Sequence, residues 1–264
     1  YYRLEGPWLQ PDAQAFTKRL IFSAWTAVPK AIASLVSYDA ERQMMALRDE
    51  PVRNHPDDRK KIKGLLQFKR RDGEPAAMST FGLVYPSWTL AEIGDPFRLA
   101  QGIGNDASLD GVLTEIAGRL EEKLADLPDS PTDGRVDERW YWAAPMLLDR
   151  SAGVSAWMGH KRRYLSSWLG TDTVRDDDRV EDSGFAEHVD QAHQLYRNEF
   201  ELGRKPDDLA EVLALHALGN PATVALRSLV RVFGEEGEDW AWDAACRISW
   251  GFRTLFNLPE ANSL

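Results

Sequence analysis

Apolar positions along most of the chain recur with the spacing of amphipathic helices. Leu113, Ile116, Leu120 and Leu124 follow the 3.6-residue period and predict a helix over residues 109–127. The same criterion predicts six further helices, at residues 140–150, 154–168, 185–200, 207–218, 221–233 and 239–256. The second half of the chain is therefore expected to be a multi-helix assembly.

The start of the chain has a different pattern. Lys18–Trp25 is a short apolar run led by basic residues, which is typical of a buried strand. Thr26 supplies a capping hydroxyl and Pro29 suits a first helical turn, so a helix is predicted to begin here. Its apolar stripe reaches about Leu47. This region predicts one strand followed by one helix.

A β-hairpin is predicted next. The segments 64–69 and 76–85 are largely apolar, and Asp72-Gly73 lies between them. Asp-Gly between two apolar runs is a strong signal for a tight turn between antiparallel strands. The predicted fold class is therefore predominantly α with a small β component.

A sharp break is predicted inside the helical part. Gly219 is suited to end one helix, Asn220 to cap the next, and Pro221 to occupy its first turn. The helices at 207–218 and 221–233 should therefore follow each other with no longer loop between them.

Composition narrows the class of protein. The 264 residues are 43% hydrophobic and 28% charged, which is ordinary for a globular protein, and ten Trp indicate bulky helix-packing contacts. No apolar run reaches the roughly 20 residues of a membrane-spanning helix, and the chain does not open with a basic segment followed by an apolar core, so secretion is not expected. The single Cys246 excludes an internal disulfide, which fits a reducing compartment, and its side chain is expected in the core. The predicted location is the cytoplasm.

Charge argues against broad nucleic-acid binding, since the net charge is −10. Any contact with phosphates must then come from a local basic patch. The best candidates are Lys60, Lys61, Lys63, Lys69, Arg70 and Arg71. A solvated basic face is the alternative. Arg227 and Arg231, four residues apart, are candidates for an anion or partner site with Arg253, or for pairing with the acidic excess.

Several catalytic signals are missing from the sequence. Residues 102–107 match a loose dinucleotide-binding pattern but follow no predicted strand, which favours a surface loop. The His residues lack metal-ligand spacing. Neither a Gly-x-x-x-x-Gly-Lys-Ser/Thr phosphate loop nor an Asp-Glu-x-His/Asp magnesium motif occurs. We therefore expect no ATP hydrolysis by this chain alone.

The stretch from Lys18 to Thr26, Lys-Arg-Leu-Ile-Phe-Ser-Ala-Trp-Thr, resembles motif IV of superfamily 2 helicases, in particular their Snf2-like branch. The helix from Pro29 onward resembles the same region of a group of large bacterial helicase-related proteins. So do several later stretches, at residues 83–87, 140–145, 217–222 and 250–257. Motifs V and VI do not occur before Leu264, so the ATPase residues of that family cannot be assigned here.

The resemblance implies an organisation. Residues 1–50 would be a linker with the motif IV strand and helix of a second RecA-like lobe, and residues 51–264 a mostly helical insertion with the hairpin near 64–85. The chain would then be a fragment of a longer protein. Its first residue is not Met, and its termini resemble internal sequence.

The resemblance also implies roles. Ser23 would face the nucleic-acid backbone, with Trp25 and Thr26 at the strand exit and Lys30 in the first helical turn. For Ser23 the alternative is a locally satisfied hydroxyl, and for Trp25 it is core packing. The expected function is that of a second-lobe insertion in an ATP-dependent nucleic-acid helicase or translocase, with DNA the expected substrate.

The expected cofactors, ATP and Mg²⁺, would belong to the parent protein and not to this fragment. Expected partners are DNA, the remaining helicase lobes and other proteins of a defence or repair system, with no membrane. A helical adaptor domain that binds proteins and has no enzymatic activity is the alternative function.

Overall fold

The computed structural model describes residues 24–46, 53, 55, 56–59, 64–71, 74–76, 78–103, 108–128, 134–151, 167–168, 180–197, 201–234 and 238–257. The chain divides into two compact units. The first comprises residues 1–63 with 263–264, and the second comprises residues 64–262. The predicted boundary at residue 50 stays a prediction.

The first unit contains a long helix, α1 (Ala27–Ala46), and one short turn of helix, α2 (Pro56–Arg59). The predicted helix at this position is confirmed within one residue at its C-terminal end. Residues 18–23 of the strand predicted before it lie outside the described residues, and Trp25 forms part of a bend. All of α1 is described, and Met45 is its one buried residue.

The second unit opens with a two-stranded antiparallel sheet, β1 (Lys69–Arg71) and β2 (Glu74–Ala76), in which Lys69 pairs with Ala76. Nine helices follow in the described part of this unit: α3 (Ser79–Val84), α4 (Trp88–Ile93), α5 (Pro96–Ile103), α6 (Leu109–Ala125), α7 (Trp140–Ser151), α8 (Val180–Tyr196), α9 (Leu209–Gly219), α10 (Pro221–Phe233) and α11 (Glu238–Phe256). A predominantly α fold with a small hairpin is thus confirmed.

The break between α9 and α10 is as predicted. The Asn220 side chain accepts hydrogen bonds from the backbone N–H groups of Ala222 (2.9 Å) and Thr223 (3.2 Å), and Pro221 occupies the first turn of α10. The Asn220 amide also donates to the carbonyl of Gly82 at 2.8 Å. One asparagine thus starts α10 and ties it to α3.

The second predicted strand, 76–85, is wrong beyond Ala76. Residues 79–84 form α3, with Gly82 N–H donating to Met78 O and Tyr85 N–H to Phe81 O, both at 3.0 Å. Phe81, Gly82 and Val84 are all buried. A short apolar run that is buried all round has no period that separates strand from helix, so the apolar composition misled the prediction.

The first predicted strand, 64–69, begins only at Lys69. The backbone of Leu66 bonds to the side chains of Arg253 in α11 and of Asn257, the residue after that helix, instead of a neighbouring strand. Its N–H donates to Asn257 Oδ1 (2.8 Å), and its carbonyl accepts from Asn257 Nδ2 (3.1 Å) and Arg253 Nε (2.8 Å). Distant side chains thus satisfy the groups that a strand partner would have satisfied.

Tryptophans organise the core of the second unit, as their number predicted. The Nε1 of Trp140 donates to Gly203 O (2.8 Å), that of Trp168 to Val84 O (2.9 Å), and that of Trp242 to Pro86 O (2.9 Å). All three indoles are almost completely buried. Each therefore fills the core while its polar atom has a backbone acceptor. Trp168 lies at the end of the predicted helix 154–168, of which residues 154–166 are outside the described residues.

No single helix in the described ranges is long and apolar enough to cross a membrane. The pair formed by α9 and α10 meets the length and composition criteria together, but it is bent by 51°. The same two helices supply buried core residues such as Leu213 and Leu226.

Candidate nucleic-acid interface

Strand β1 presents a row of three cations to solvent. Lys69, Arg70 and Arg71 are consecutive and all exposed. Arg70 Nε lies 2.8 Å from Glu187 Oε2 of α8, so one of the three charges is matched by a carboxylate. The part of the predicted basic patch that the structure describes is therefore an exposed strand edge, suited to phosphate contact without sequence reading.

Phe68, the residue before this strand, packs among aromatic side chains. Its ring lies 4.8 Å from that of Phe185 and 5.9 Å from that of Trp250, centroid to centroid. The Arg253 guanidinium is 4.6 Å from the ring centres of both Phe68 and Trp250. Gly184 allows the close approach of α8, since a Cβ there would lie 2.7 Å from Phe68 O. The start of the basic strand is thus held in place by packed aromatic side chains.

His188 joins the second strand to α8. Its Nδ1 lies 2.7 Å from Gly184 O and its Nε2 lies 3.0 Å from Ala76 O, and the side chain is buried. Both ring nitrogens are therefore engaged by carbonyl oxygens. No three His, Cys, Asp or Glu side chains among the described residues are placed to hold one metal ion.

The remaining predicted contact residues lie in the first unit. Trp25 is 76% exposed, and Thr26 and Lys30 at the start of α1 are also exposed. Core packing, the alternative for Trp25, is therefore wrong within this chain, because its indole is mostly in solvent. Ser23 lies outside the described residues, as do three further candidates of the basic patch: Lys60, Lys61 and Lys63.

The arginines of α10 turn out to be structural. The Arg227 guanidinium is buried and donates to three carbonyls, those of Gly94 (2.7 Å), Ala217 (2.9 Å) and Leu218 (3.2 Å). A cation is well placed there because α4 and α9 both end at these carbonyls. Arg231 pairs with Asp95 at 2.6 Å, the acidic pairing that was the alternative to an anion site. Arg227 does not form an open anion site.

Asp149 is the buried polar centre that sequence patterns missed. Its carboxylate accepts from Tyr85 Oη (2.9 Å), Ser87 Oγ (2.9 Å), and the backbone N–H groups of Trp88 (3.1 Å) and Thr89 (2.8 Å). The last two begin α4, so the carboxylate caps that helix. Burial raises the pKa of Asp149 above its ordinary value, although hydrogen bonds from Thr89, Tyr85 and Ser87 oppose that shift.

One signal could have identified Asp149. It is the first acidic residue after the apolar run 140–148 of α7, where an amphipathic helix would place another apolar side chain. A lone carboxylate at such a position must be paired with donors if it is buried. The sequence alone does not locate those donors, which come from residues 85–89, some sixty positions away.

Cys246 is fully buried, as predicted, and burial raises the pKa of its thiol well above the ordinary value. The loose dinucleotide pattern at 102–107 begins in the last turn of α5, and residues 104–107 lie outside the described residues. Neither feature forms a catalytic centre with other described residues.

No family model, curated protein or solved structure matches the chain. The resemblance at residues 18–26 therefore remains a prediction. The described features that bear on function are the exposed cations of β1, the exposed helix α1 and the surfaces of the second unit.

Proposed function

We propose that this chain is part of an ATP-dependent nucleic-acid helicase or translocase that acts on DNA. In this proposal, residues 18–46 are the motif IV strand and helix of the second motor lobe. The second unit is an insertion that shapes the path of the DNA or contacts partners. The expected location remains the cytoplasm, which the single cysteine fits.

The observation that carries the proposal is the exposure of α1. This helix has 20 residues, yet its apolar side chains Leu35, Val36 and Tyr38 are all exposed. A helix that follows a core strand in a RecA-like lobe packs its apolar face against a parallel sheet. The remaining sheet of the second lobe is the surface that would cover these side chains.

Only one local part of the charge pattern, the cations of β1, supports DNA as the ligand. A protein with net charge −10 repels phosphates at long range, whereas the β1 cations form a short positive edge. Contacts of this kind to the phosphate backbone hold DNA without reading its sequence. This suits a translocase, which must bind every sequence it passes.

ATP and Mg²⁺ would be held by other parts of the parent protein. The sequence has neither a phosphate-binding loop nor a magnesium motif, and the described carboxylates do not converge on a cation site. The described residues therefore do not fit a Mg–ATP site, and no step of hydrolysis is assigned to them.

DNA binding by the β1 edge can be tested with a fluorescein-labelled DNA duplex titrated by anisotropy over a series of salt concentrations. Replacing Lys69 and Arg71 together by Ala should weaken binding and lower the salt slope by about 2, since each phosphate contact contributes about 0.9. Arg70 is left intact because it pairs with Glu187. A matched control replaces Lys123 and Arg135, a lysine and an arginine that are exposed elsewhere on the second unit.

The two double variants separate local contact from bulk charge. If both lower affinity equally, the effect is due to net charge and β1 is not a DNA contact. The parent reading frame provides a second test. A phosphate-binding loop encoded before Tyr1 and a motif VI after Leu264 are expected, and their absence would disprove the helicase proposal. ATP turnover by this chain alone would also contradict the proposal, because the proposal assigns the ATP site to other parts of the parent protein.

A further inference from the structure

His188 of α8 is completely buried, and each of its ring nitrogens lies against a carbonyl oxygen. Nδ1 is 2.7 Å from Gly184 O, one turn earlier in the same helix, and Nε2 is 3.0 Å from Ala76 O of β2. Both distances are those of ordinary hydrogen bonds. The rings of His188 and Phe68 meet edge to face, with their centroids 5.1 Å apart. One imidazole thus links α8 to the hairpin formed by β1 and β2.

The two contacts of this ring require a particular protonation state. A carbonyl oxygen only accepts hydrogen bonds, so both nitrogens must donate if both contacts are hydrogen bonds. A neutral imidazole has one N–H group and one lone pair, and only the doubly protonated ring has two N–H groups. In the neutral ring, a buried lone pair would face a carbonyl oxygen, and both atoms would lack a partner. The geometry around His188 therefore matches the imidazolium form.

When the ring releases a proton to water, one of its two hydrogen bonds is lost. The contact with Gly184 O is the shorter one and joins residues four apart in a single helix, so movement of the hairpin does not affect it. The contact with Ala76 O joins residues 112 positions apart. We therefore expect the neutral ring to keep its proton on Nδ1, which leaves the Nε2 lone pair facing Ala76 O.

The position of Ala76 connects this hydrogen bond to the basic strand. Ala76 pairs with Lys69 in the register of the sheet, so it lies opposite the first cation of β1. The residues before β1 are held without His188, since Leu66 bonds to Arg253 and the Gln67 carbonyl accepts from Thr80 Oγ1 at 3.3 Å. Loss of the Ala76 contact should loosen the two strands and leave the rest of the second unit folded.

The elements packed around His188 carry further titratable and charged residues: Lys69, Arg70 and Arg71 in β1, Glu74 in β2, Asp149 and Arg150 in α7, Glu187, Asp190 and His193 in α8, and Arg253 in α11. Helix α3 contributes none. Glu187 pairs with Arg70, and Arg253 donates to Leu66 O. Among the described residues, the hydrogen-bond partners of the His188 ring are two carbonyl oxygens, which do not titrate. The link therefore depends on the proton of the ring itself.

We propose that His188 is a proton-dependent clamp that holds the hairpin, and with it the cations of β1, against α8. The clamp is closed when the ring is doubly protonated. It opens as the pH rises through the range in which histidine side chains lose their charge, about pH 5 to 8. The consequence for DNA binding rests on the proposed function, whereas the clamp itself does not.

Nitrogen-15 NMR of the wild-type chain tests the clamp directly. The ring nitrogens of His188, assigned through correlations to its own backbone, are followed from about pH 5 to 8. We expect two protonated nitrogens at the low end and a proton on Nδ1 alone at the high end. A ring that keeps one protonation state over the whole range would overturn the proposal. So would a neutral ring protonated on Nε2, because the link to Ala76 would then persist.

Amide hydrogen exchange of β1 and β2 tests whether the ring holds the hairpin. His188→Phe keeps a ring in the core without either N–H group, and His193→Phe is the matched control on the same helix. Dividing the rate in each variant by the wild-type rate at the same pH removes the intrinsic pH dependence of exchange. For His188→Phe this ratio should be about ten at low pH and approach one at high pH, since one hydrogen bond is at stake. For His193→Phe it should stay near one.

A ratio for His188→Phe that does not change with pH would contradict the clamp. Circular dichroism verifies that both variants are folded, and the NMR titration decides the question without any variant. These two measurements use no DNA, so they remain decisive if the proposed function is wrong.

Duplex binding by anisotropy then tests the consequence for the basic strand. Wild type and His193→Phe should bind up to about tenfold more weakly at the high end of the pH range, because only the ordered fraction of the hairpin binds. His188→Phe should show no such dependence. An equal pH dependence in all three chains would mean that the clamp does not control β1. Absence of duplex binding by every chain would instead contradict the proposed function and leave the clamp to the NMR and exchange results.

Discussion

Helices α1 and α9 differ in what covers their apolar residues. In α9, five residues are buried, with Leu213 completely so, and the helix packs against α6 and α4. In α1, which is nearly twice as long, one residue is buried and Leu35 is 68% exposed. Both helices were predicted from sequence with similar bounds. Their difference shows that an apolar pattern predicts a helix but not the surface that will bury it.

This difference in burial also predicts that the two units differ in stability. Most of the free energy of folding comes from apolar burial, so the second unit should unfold as a cooperative body. The described helix of the first unit buries too little to be held by its own packing, since helices gain most of their stability from an apolar face against a partner. Four changes test this contrast.

The largest effect is expected at the buried carboxylate of the second unit. Asp149→Ala leaves the Tyr85 and Ser87 hydroxyls and two backbone N–H groups of α4 buried without their acceptor. The free energy of unfolding should fall by about 4 kcal/mol, because each unsatisfied buried donor costs about 1–3 kcal/mol and some can relax towards water. Urea denaturation followed by tryptophan fluorescence measures this.

A milder variant checks the origin of that loss. Tyr85→Phe removes one of the four donors together with its hydrogen bond, so it should cost only about 1 kcal/mol. If Asp149→Ala cost no more than Tyr85→Phe, the carboxylate would not be the centre that holds α3, α4 and α7 together.

The second largest effect on stability is expected when one leucine is replaced by alanine in α9 and, for comparison, one in α1. Leu213→Ala should lower the unfolding free energy by about 3 kcal/mol, within the 2–5 kcal/mol typical of buried leucines. Leu35→Ala should change it by less than about 0.5 kcal/mol, as at other exposed positions. Urea denaturation of the two variants compares them directly. A large loss from Leu35→Ala would mean that α1 is buried in solution.

Local elements were largely predictable from sequence, whereas contacts between them were not. The Asn220 cap and the bounds of α6 and α10 depend on residues close in sequence, so they were predicted well. Helix α3 was mistaken for a strand because its burial comes from α7, α8, α10 and α11, far along the chain. The same holds for the candidate sites. The exposed β1 cations were predicted, but the fold also forms an apolar recess in the second unit from Leu66, Pro221 and Phe252, which are far apart in the sequence.

A third effect, of about 2 kcal/mol, is expected where α4 meets α9. A Cβ on Gly94 would overlap the carbonyl of Ala217, which also accepts from Arg227. Gly94→Ala should therefore destabilise the fold by roughly 1–3 kcal/mol, the usual range for overpacking. Gly118 lies in the middle of α6, and a Cβ added there would meet open space, so Gly118→Ala should raise stability by up to about 1 kcal/mol. In thermal denaturation the two variants should shift the midpoint temperature in opposite directions. Shifts in the same direction would contradict the close approach of Gly94 to Ala217.

The smallest effect concerns two aspartates, one in each unit. Hydrogen bonds from Arg42 and Gln43 lower the pKa of Asp39 below its ordinary value of 3.8, whereas burial raises the pKa of Asp149 above it. Carbon-13 NMR of the carboxyl groups, assigned with Asp39→Asn and Asp149→Asn, should find the two titrations on opposite sides of that value. Wild-type urea midpoints at a series of pH values give the matching stability profile.

The two shifts have opposite consequences for stability. Asp39 is ionised more readily when folded, so its contribution is present above pH 3.8 and is lost as the pH falls through its folded pKa. Asp149 binds its proton more tightly when folded, so its contribution is greatest at low pH and is lost as the pH rises from 3.8 through its folded pKa. Asp149→Asn should remove the second dependence and leave the first. If Asp149 instead titrated below 3.8, its four hydrogen-bond donors would outweigh its desolvation, and the carboxylate would be a stabilising anion at neutral pH.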